Sequence, residues 1–284
     1  MGVGVGQFSL FGSADGEPEA KPVDDQVRRL RMLITVKAAP NPSEKYGETV
    51  CVAGFNMHVE HPGWLRLYPI NFRELTSEES FRKYDVVEID AAPARNDARL
   101  ESWRPRMHTL VQVRHLDPWR PRQQILAPAV EESMCRLVAG AREAVRSKSL
   151  ALIAPRDVQE LIVEAHPGWT SEQQAKIDQY VLQERLGDER DRTPLQAPRF
   201  RAFYRYRCAE QRCRGHRQGV LDWELVALQR NQLAHLDDAA AVDAIRAKFL
   251  EMMCAPHRAP AFYVGNQAKR AHVFSVLGVY YPPR

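Results

Sequence analysis

Between Arg31 and about Leu126 the chain breaks into short apolar runs, each bounded by turn residues. Met32-Leu33-Ile34-Thr35-Val36, Thr49-Val50-Cys51-Val52-Ala53, Trp64-Leu65-Arg66-Leu67-Tyr68 and Val86-Val87-Glu88-Ile89 are rich in the β-branched and aromatic residues that suit a pleated surface. Pro40, Pro42, Gly54, Pro62-Gly63 and Pro69 interrupt them, and His108 to Leu116 supplies a fifth run. Five short strands at this spacing fit a small barrel, whose closure removes the exposed edges of an open sheet.

The pattern therefore predicts an α+β chain. A small β-barrel-like N-terminal domain, OB-like or PUA-like, is followed by a mixed α/β C-terminal domain. The organisation expected is a leader over residues 1–27, a barrel over 28–127, a helical connecting region over 128–198 and an α/β region over 199–284. Within the connecting region, Val130 to Ser147 reads as a helix with Glu131 and Glu132 in its first turn and Arg142 and Arg146 near its end, an order that suits the helix dipole. Leu150 to Ile153 and Val158 to Val163 read as strands or connectors. Ser171 to Leu186 reads as a second helix, capped by Thr170 or Ser171, with Ile177, Val181 and Leu182 on one face. The charged, proline-containing stretch from Gly187 to Pro198 is expected to separate two packed units. Phe274 to Tyr280 reads as a core strand.

No run of about 18 apolar residues is present, which excludes a transmembrane helix and argues against a membrane partner. The N-terminus lacks the basic-then-apolar order of a secretory signal, so a cytoplasmic protein is expected. Five cysteines, an odd number at irregular spacing, point to buried thiols or metal ligands rather than disulfides in such a compartment.

The densest chemistry lies in the last third. Over Arg199 to Cys208 an extended strand puts Arg201, Phe203, Arg205 and Arg207 on one face and Ala202, Tyr204, Tyr206 and Cys208 on the other. Seven arginines fall between positions 199 and 217 against one acid, Glu210, a local excess of +6. Guanidinium groups interleaved with an aromatic ring are what phosphate contact and base stacking require, so Arg201, Phe203, Arg205, Arg207, Arg212 and Arg214 are the expected nucleic-acid-binding residues. Cys208, Cys213 and His216 follow at the spacing Cys-x4-Cys-x2-His, which can converge on one tetrahedral ion, with Gly215 easing the turn. Structural zinc is the expected cofactor. Cys254, in a Cys-x2-His pair with His257, is the expected fourth ligand, with His235 behind it.

Asp222 and Glu224 form a carboxylate pair beside this segment, and such oxygens could hold magnesium in a nuclease. The same residues are explained without catalysis by a helix N-cap followed by a first-turn acid. Cys51 sits in an apolar strand without a catalytic partner and reads as an inert core thiol. The polar stretch Asp97, Arg99, Glu101, Arg104 and Arg106 reads as a loop extending the basic surface.

In the leader, Gln7-Phe8-Ser9-Leu10-Phe11 lies among Gly2, Gly4, Gly6 and Gly12, and Ser13 to Asp25 has the composition of a disordered tether. Gln-x-Ser-Leu-Phe resembles the short peptide by which bacterial DNA polymerases, mismatch-repair proteins and other replication factors bind the β sliding clamp. The resemblance covers five residues. It implies that the Gln7 amide hydrogen-bonds at the rim of the clamp's pocket, that Leu10 and Phe11 fill its apolar cleft, and that Ser9 stands where Ser or Asp is usual. Phe8 replaces the commoner leucine. Together these readings describe a clamp-docked, DNA-associated protein of repair, replication or genome defence. A nuclease using Asp222 and Glu224, and a non-enzymatic adaptor whose basic surface meets an acidic protein, are the competing classes.

Overall fold

The computed structural model describes residues 21–43, 47–58, 63–70, 80–143, 147–184 and 194–284. The N-terminal part runs β1 (Arg28–Lys37), β2 (Asn41–Ser43), β3 (Gly47–Asn56), β4 (Gly63–Ile70), β5 (Asp85–Pro93), β6 (Ser102–Pro105) and β7 (Val111–His115). It continues through α1 (Trp119–Leu126), β8 (Val130–Glu131), α2 (Met134–Glu143), β9 (Leu150–Ile153), β10 (Asp157–Ala165) and α3 (Ser171–Glu184). The last third holds β11 (Phe200–Arg207), β12 (His216–Gly219), α4 (Trp223–Asn231), α5 (Asp238–Arg246) with a π-helical extension over Ala247–Met252, β13 (Ala261–Gln267) and β14 (Arg270–Tyr280).

The expected α+β class with an N-terminal barrel is what the chain forms. Strands pair in the order β1-β3-β4-β6-β5, and β5 pairs back onto β1, closing a five-stranded barrel. The fifth strand is β6, however, and not the run near His108. β6 is only four residues long and leads with Ser102, so its apolar pattern is weak; it closes the ring by pairing parallel to β4 and antiparallel to β5. The His108 run instead forms β7, an added edge strand with Val111 and Val113 largely exposed.

The contiguous apolar run in β1 has a structural cause. Leu30, Met32 and Ile34 point into the barrel, while Leu33 and Val36 join a second core shared with Leu150, Leu152, Tyr263, Leu277 and Tyr280. A strand buried on both faces loses the apolar–polar alternation of a half-solvated one. Met32, Leu33 and Ile34 are completely enclosed, and each such burial contributes roughly 1.5–3 kcal/mol. Gly54, opposite Ile34 in the β1–β3 ladder, permits this closeness: a Cβ there would lie 2.3 Å from the Leu33 carbonyl oxygen and 2.5 Å from Met32 Cε.

The C-terminal part has two layers. The sheet β14-β13-β9-β8 lies against the barrel on one face, and its other face joins the sheet β10-β11-β12 and the helices in a core holding Met134, Phe200, Tyr204, Tyr206, Phe249 and Phe262. β10 pairs with β11 from Asp157–Arg207 to Ala165–Phe200, so the expected boundary between residues 128–198 and 199–284 falls inside one packed unit. Long-range strand pairing bridges the charged stretch that local composition marks as a linker.

Two helices depart from expectation at their ends. The segment from Val130 enters as β8, paired parallel to β9, before α2 begins at Met134, where Ser133 Oγ accepts from Arg136 N–H (3.0 Å). Glu131 is thus no first-turn acid; it pairs with Lys148 at 3.3 Å. α3 begins as expected, with Thr170 Oγ1 accepting from Gln173 N–H and Gln173 Oε1 accepting from Thr170 N–H, a reciprocal cap. Ile177 is buried but Leu182 is 58 % exposed, because the packed stripe does not extend to the last turn.

In the polar stretch after β5, Asp97, Arg99 and Glu101 are engaged in internal contacts, whereas Arg104 and Arg106 are exposed. Asp97 pairs with Arg99 at 2.6 Å, Arg99 donates to the Asn266 carbonyl, and buried Glu101 accepts from Ser149 N–H and Ser149 Oγ–H, both at 2.7 Å. Arg66, on β4, donates to the Ser149 carbonyl (3.1 Å) and to Cys51 Sγ (3.0 Å). These charges join the barrel to the C-terminal layers. No helix among the described residues is long and apolar enough to cross a membrane.

Candidate metal centre and nucleic-acid interface

β11 places Cys208 at its buried end, a tight turn returns the chain through Cys213, and His216 opens β12. Gly215 has φ +101°, in the left-handed region where a side chain is strained, and it completes the turn. The fourth member comes from elsewhere. Cys135, in the first turn of α2, brings its thiol to the same point, and one ligand atom from each of Cys135, Cys208, Cys213 and His216 lies within 4.8 Å of every other. Cys254 is not in this group: its thiol faces the Phe249 carbonyl oxygen at 3.7 Å, after the π-helical turn. His257 and His235 are absent from it as well. The expectation of Cys254 fails because proximity in sequence to a helix end carries no information about which helix packs beside the loop.

The distances test whether the four groups fit an ion. Cys135 Sγ to Cys208 Sγ is 3.6 Å, Cys135 Sγ to His216 Nε2 is 3.6 Å and Cys213 Sγ to His216 Nε2 is 3.3 Å. A tetrahedral ion with metal–sulfur bonds near 2.3 Å and metal–nitrogen bonds near 2.0 Å has edges of about 3.8 Å and 3.5 Å. The cluster therefore has the size of a tetrahedral coordination shell and is compatible with a metal site. Burial opposes a thiolate at Cys208, but hydrogen bonding to His216, to backbone and to Cys135 outweighs it and brings that thiol down to about 6. Burial and the neighbouring Cys208 push Cys135 up to about 12. One thiolate thus forms readily, and a second waits for a cation to compensate its charge. Tyr206 packs its ring 5.2 Å from that of His216 and donates to Gln218 Oε1, fixing the floor of the centre.

The face alternation expected for β11 holds: Ala202, Tyr204, Tyr206 and Cys208 are buried, and Arg201, Arg205 and Arg207 are exposed with Phe203 half-buried among them. The free positive charge is distributed differently from the expectation. β10 sets Glu160 and Glu164 alongside, so Arg205 pairs with Glu160 (3.2 Å) while Arg201 (2.9 Å) and Arg217 (3.1 Å) share Glu164. Arg199 pairs with Asp238. Arg207, Arg212 and Arg214 are exposed and have no carboxylate within ion-pair distance among the described residues. Arg156, whose backbone N–H donates to the Arg207 carbonyl, shares that condition. Unpaired guanidinium groups therefore gather at the metal end of β11, not along its length.

Asp222 caps α4, its Oδ1 accepting from Glu224 N–H at 2.9 Å, and only 3 % of the residue is exposed. Glu224 faces Lys83 at 3.5 Å, and Lys83 donates to the Val279 carbonyl. Burial, with Glu224 beside it, pushes the Asp222 carboxyl up to about 7, whereas Lys83 holds Glu224 below the ordinary range. The pair is occupied by a cap and an ion pair at the seam between barrel and C-terminal layers. Gln7, Ser9, Leu10 and Phe11 lie outside the described residues.

An α+β protein with a closed N-terminal barrel and a Cys3His cluster stapling α2 to the β11–β12 turn is thus defined. A family model described as Domain of unknown function (DUF8757) matches residues 130–284, more than half of the chain, and the protein belongs to that family. A second, Domain of unknown function (DUF8758), matches residues 28–128, the span that contains the barrel. No curated protein matches the sequence.

Proposed function

We propose that this is a DNA-associated protein in which a structural zinc ion, held by Cys135, Cys208, Cys213 and His216, shapes a basic loop that contacts the nucleic-acid backbone. The observation that carries the reading is the set of exposed arginines, Arg207, Arg212 and Arg214, that have no carboxylate partner among the described residues, in and beside the loop that the cluster closes. Phosphate is the natural counter-charge for guanidinium groups with no carboxylate beside them. Zinc suits the donor set, since three sulfurs and one imidazole on a closed tetrahedron leave no open position for a substrate. In the same proposal the leader docks on the β sliding clamp through Gln7, Ser9, Leu10 and Phe11, bringing the basic loop to replicating or repaired DNA.

Anisotropy titrations of labelled oligonucleotides at several salt concentrations test the body of this reading. Each phosphate contact contributes about 0.7 to 0.9 to the slope of log affinity against log salt, so the triple variant Arg207→Ala, Arg212→Ala, Arg214→Ala is expected to lower that slope by roughly 2 to 3. Arg201→Ala with Arg205→Ala is expected to change it less. Equal slopes for wild type and the triple variant would overturn the assignment, and salt-insensitive capture of an acidic protein would favour the adaptor. Pull-down on purified sliding clamp, with Leu10→Ala and Phe11→Ala as the control, tests the leader separately.

A further inference from the structure

Beside the arginine face of β11 lies a cleft of about 200 Å³, formed where Ala39–Asn41 of the barrel part approach β10, β11 and α4. Its floor is apolar, with Phe200, Ala202, Val220 and Leu225. Its walls carry rings: Trp169, His166 and Phe203. Among the described residues, the charged side chains that line it are Arg201 and Arg230, and no carboxylate does. The rings are held. Trp169 Nε1–H donates to the Leu195 carbonyl (2.8 Å), and His166 Nδ1 accepts from Gly168 N–H (3.1 Å) while its ring meets that of Trp169 edge-on at 5.5 Å. With Nδ1 accepting, the neutral His166 ring carries its proton on Nε2 and is a donor. Arg217, outside the lining itself, stacks on Phe203, 3.6 Å from the ring centroid, and shares Glu164 with Arg201, so these two neighbouring guanidinium groups are balanced by one carboxylate.

An occupant of this cleft is best flat, because rings line it, apolar on its faces, because most of the lining is apolar with Gln229 the buried polar exception, and anionic at one edge, because the charged side chains that line it are guanidinium groups. A nucleobase with its phosphates meets all three conditions. A paired base does not, since its edges and faces are already buried in the duplex. We propose that the cleft takes one unstacked base of a single-stranded nucleic acid, stacked against Phe203 and Trp169, with the flanking phosphates on Arg201, Arg217 and Arg230. The inference rests on the nucleic-acid reading above and narrows it to single strands. In this arrangement the aromatic residue within the arginine face is the stacking platform, and Glu164 is the group that a phosphate displaces.

The test compares full-length protein on three labelled probes of equal length: a homothymidine single strand, the same phosphodiester chain without bases, and the corresponding duplex. Base stacking on one aromatic platform gives about a tenfold preference for the single strand over the base-free chain. Phe203→Leu, which keeps apolar volume and removes the ring, is expected to abolish that preference while the salt slope stays as in wild type. Ala39→Phe, which plugs the cleft without removing a wall, is expected to do the same. If the base-free chain and the single strand bind equally to wild type, or the preference survives both variants, the base-binding cleft is overturned while the phosphate-binding reading stands. If none of the three probes binds, both fall. Preferential binding of thymidine monophosphate with no gain from a longer strand would reassign the cleft to a free nucleotide and overturn the single-strand proposal.

Discussion

Replacing Cys135 by serine is the perturbation that discriminates most sharply among the candidate ligands. Cys135 and Cys208 are 73 residues apart in sequence, and a metal joined to both closes that span as a cross-link. On the chain-entropy scale used for disulfides, closing a loop of this length restricts the unfolded ensemble by about 4 kcal/mol, whereas the Cys208-to-Cys213 turn alone restricts it by about 2 kcal/mol. Loss of the ion is therefore expected to lower Tm by on the order of 10 °C in a chain of this size. Cys254→Ser removes only a thiol facing the Phe249 carbonyl at 3.7 Å, and a cost under about 1 kcal/mol is expected. Elemental analysis of purified protein, paired with thermal melting with and without a chelator, reads both quantities. Wild type should carry one metal per chain and melt lower with chelator, and Cys135→Ser should carry none and ignore it. If Cys135→Ser retains metal and the wild-type Tm while Cys254→Ser loses both, the cluster geometry has been misread.

Three further outcomes follow from the fold. Asp222 is held above its ordinary value of 3.8, so its charged form weakens the fold as pH rises from about 4 through 7. Asp222→Asn keeps the cap acceptor without the charge, and its Tm relative to wild type should rise between pH 5 and pH 8; a flat difference would contradict the assignment. Gly54→Ala forces a Cβ to 2.3 Å from the Leu33 carbonyl oxygen, and urea melts should show a loss of about 1–3 kcal/mol or more. Glu101→Ala strips the acceptor from Ser149 N–H and Oγ–H, so about 1–3 kcal/mol per orphaned donor is expected, and limited proteolysis should cut between barrel and C-terminal layers sooner. A variant as resistant as wild type would show that this joint is held by apolar contact alone.

The residues themselves determined the elements whose signal is local. Short apolar runs with proline and glycine breaks specify the β-rich barrel region, alternation along Arg199 to Cys208 specifies which side of β11 is buried, and Asp222 and Thr170 mark helix starts, because each depends on neighbours within a few positions. Cys208, Cys213 and His216 converge for the same reason, being joined by one tight turn. Tertiary structure decided what depends on distant neighbours. Cys135 becomes the fourth member only when α2 packs against the turn, β6 becomes a barrel strand only because β4 and β5 lie open on either side of it, and the arginines of β11 divide into paired and unpaired only once β10 sets Glu160 and Glu164 beside them. A charge can be read from a sequence, but its compensation is a distance, and distances between residues far apart in the chain exist only after folding.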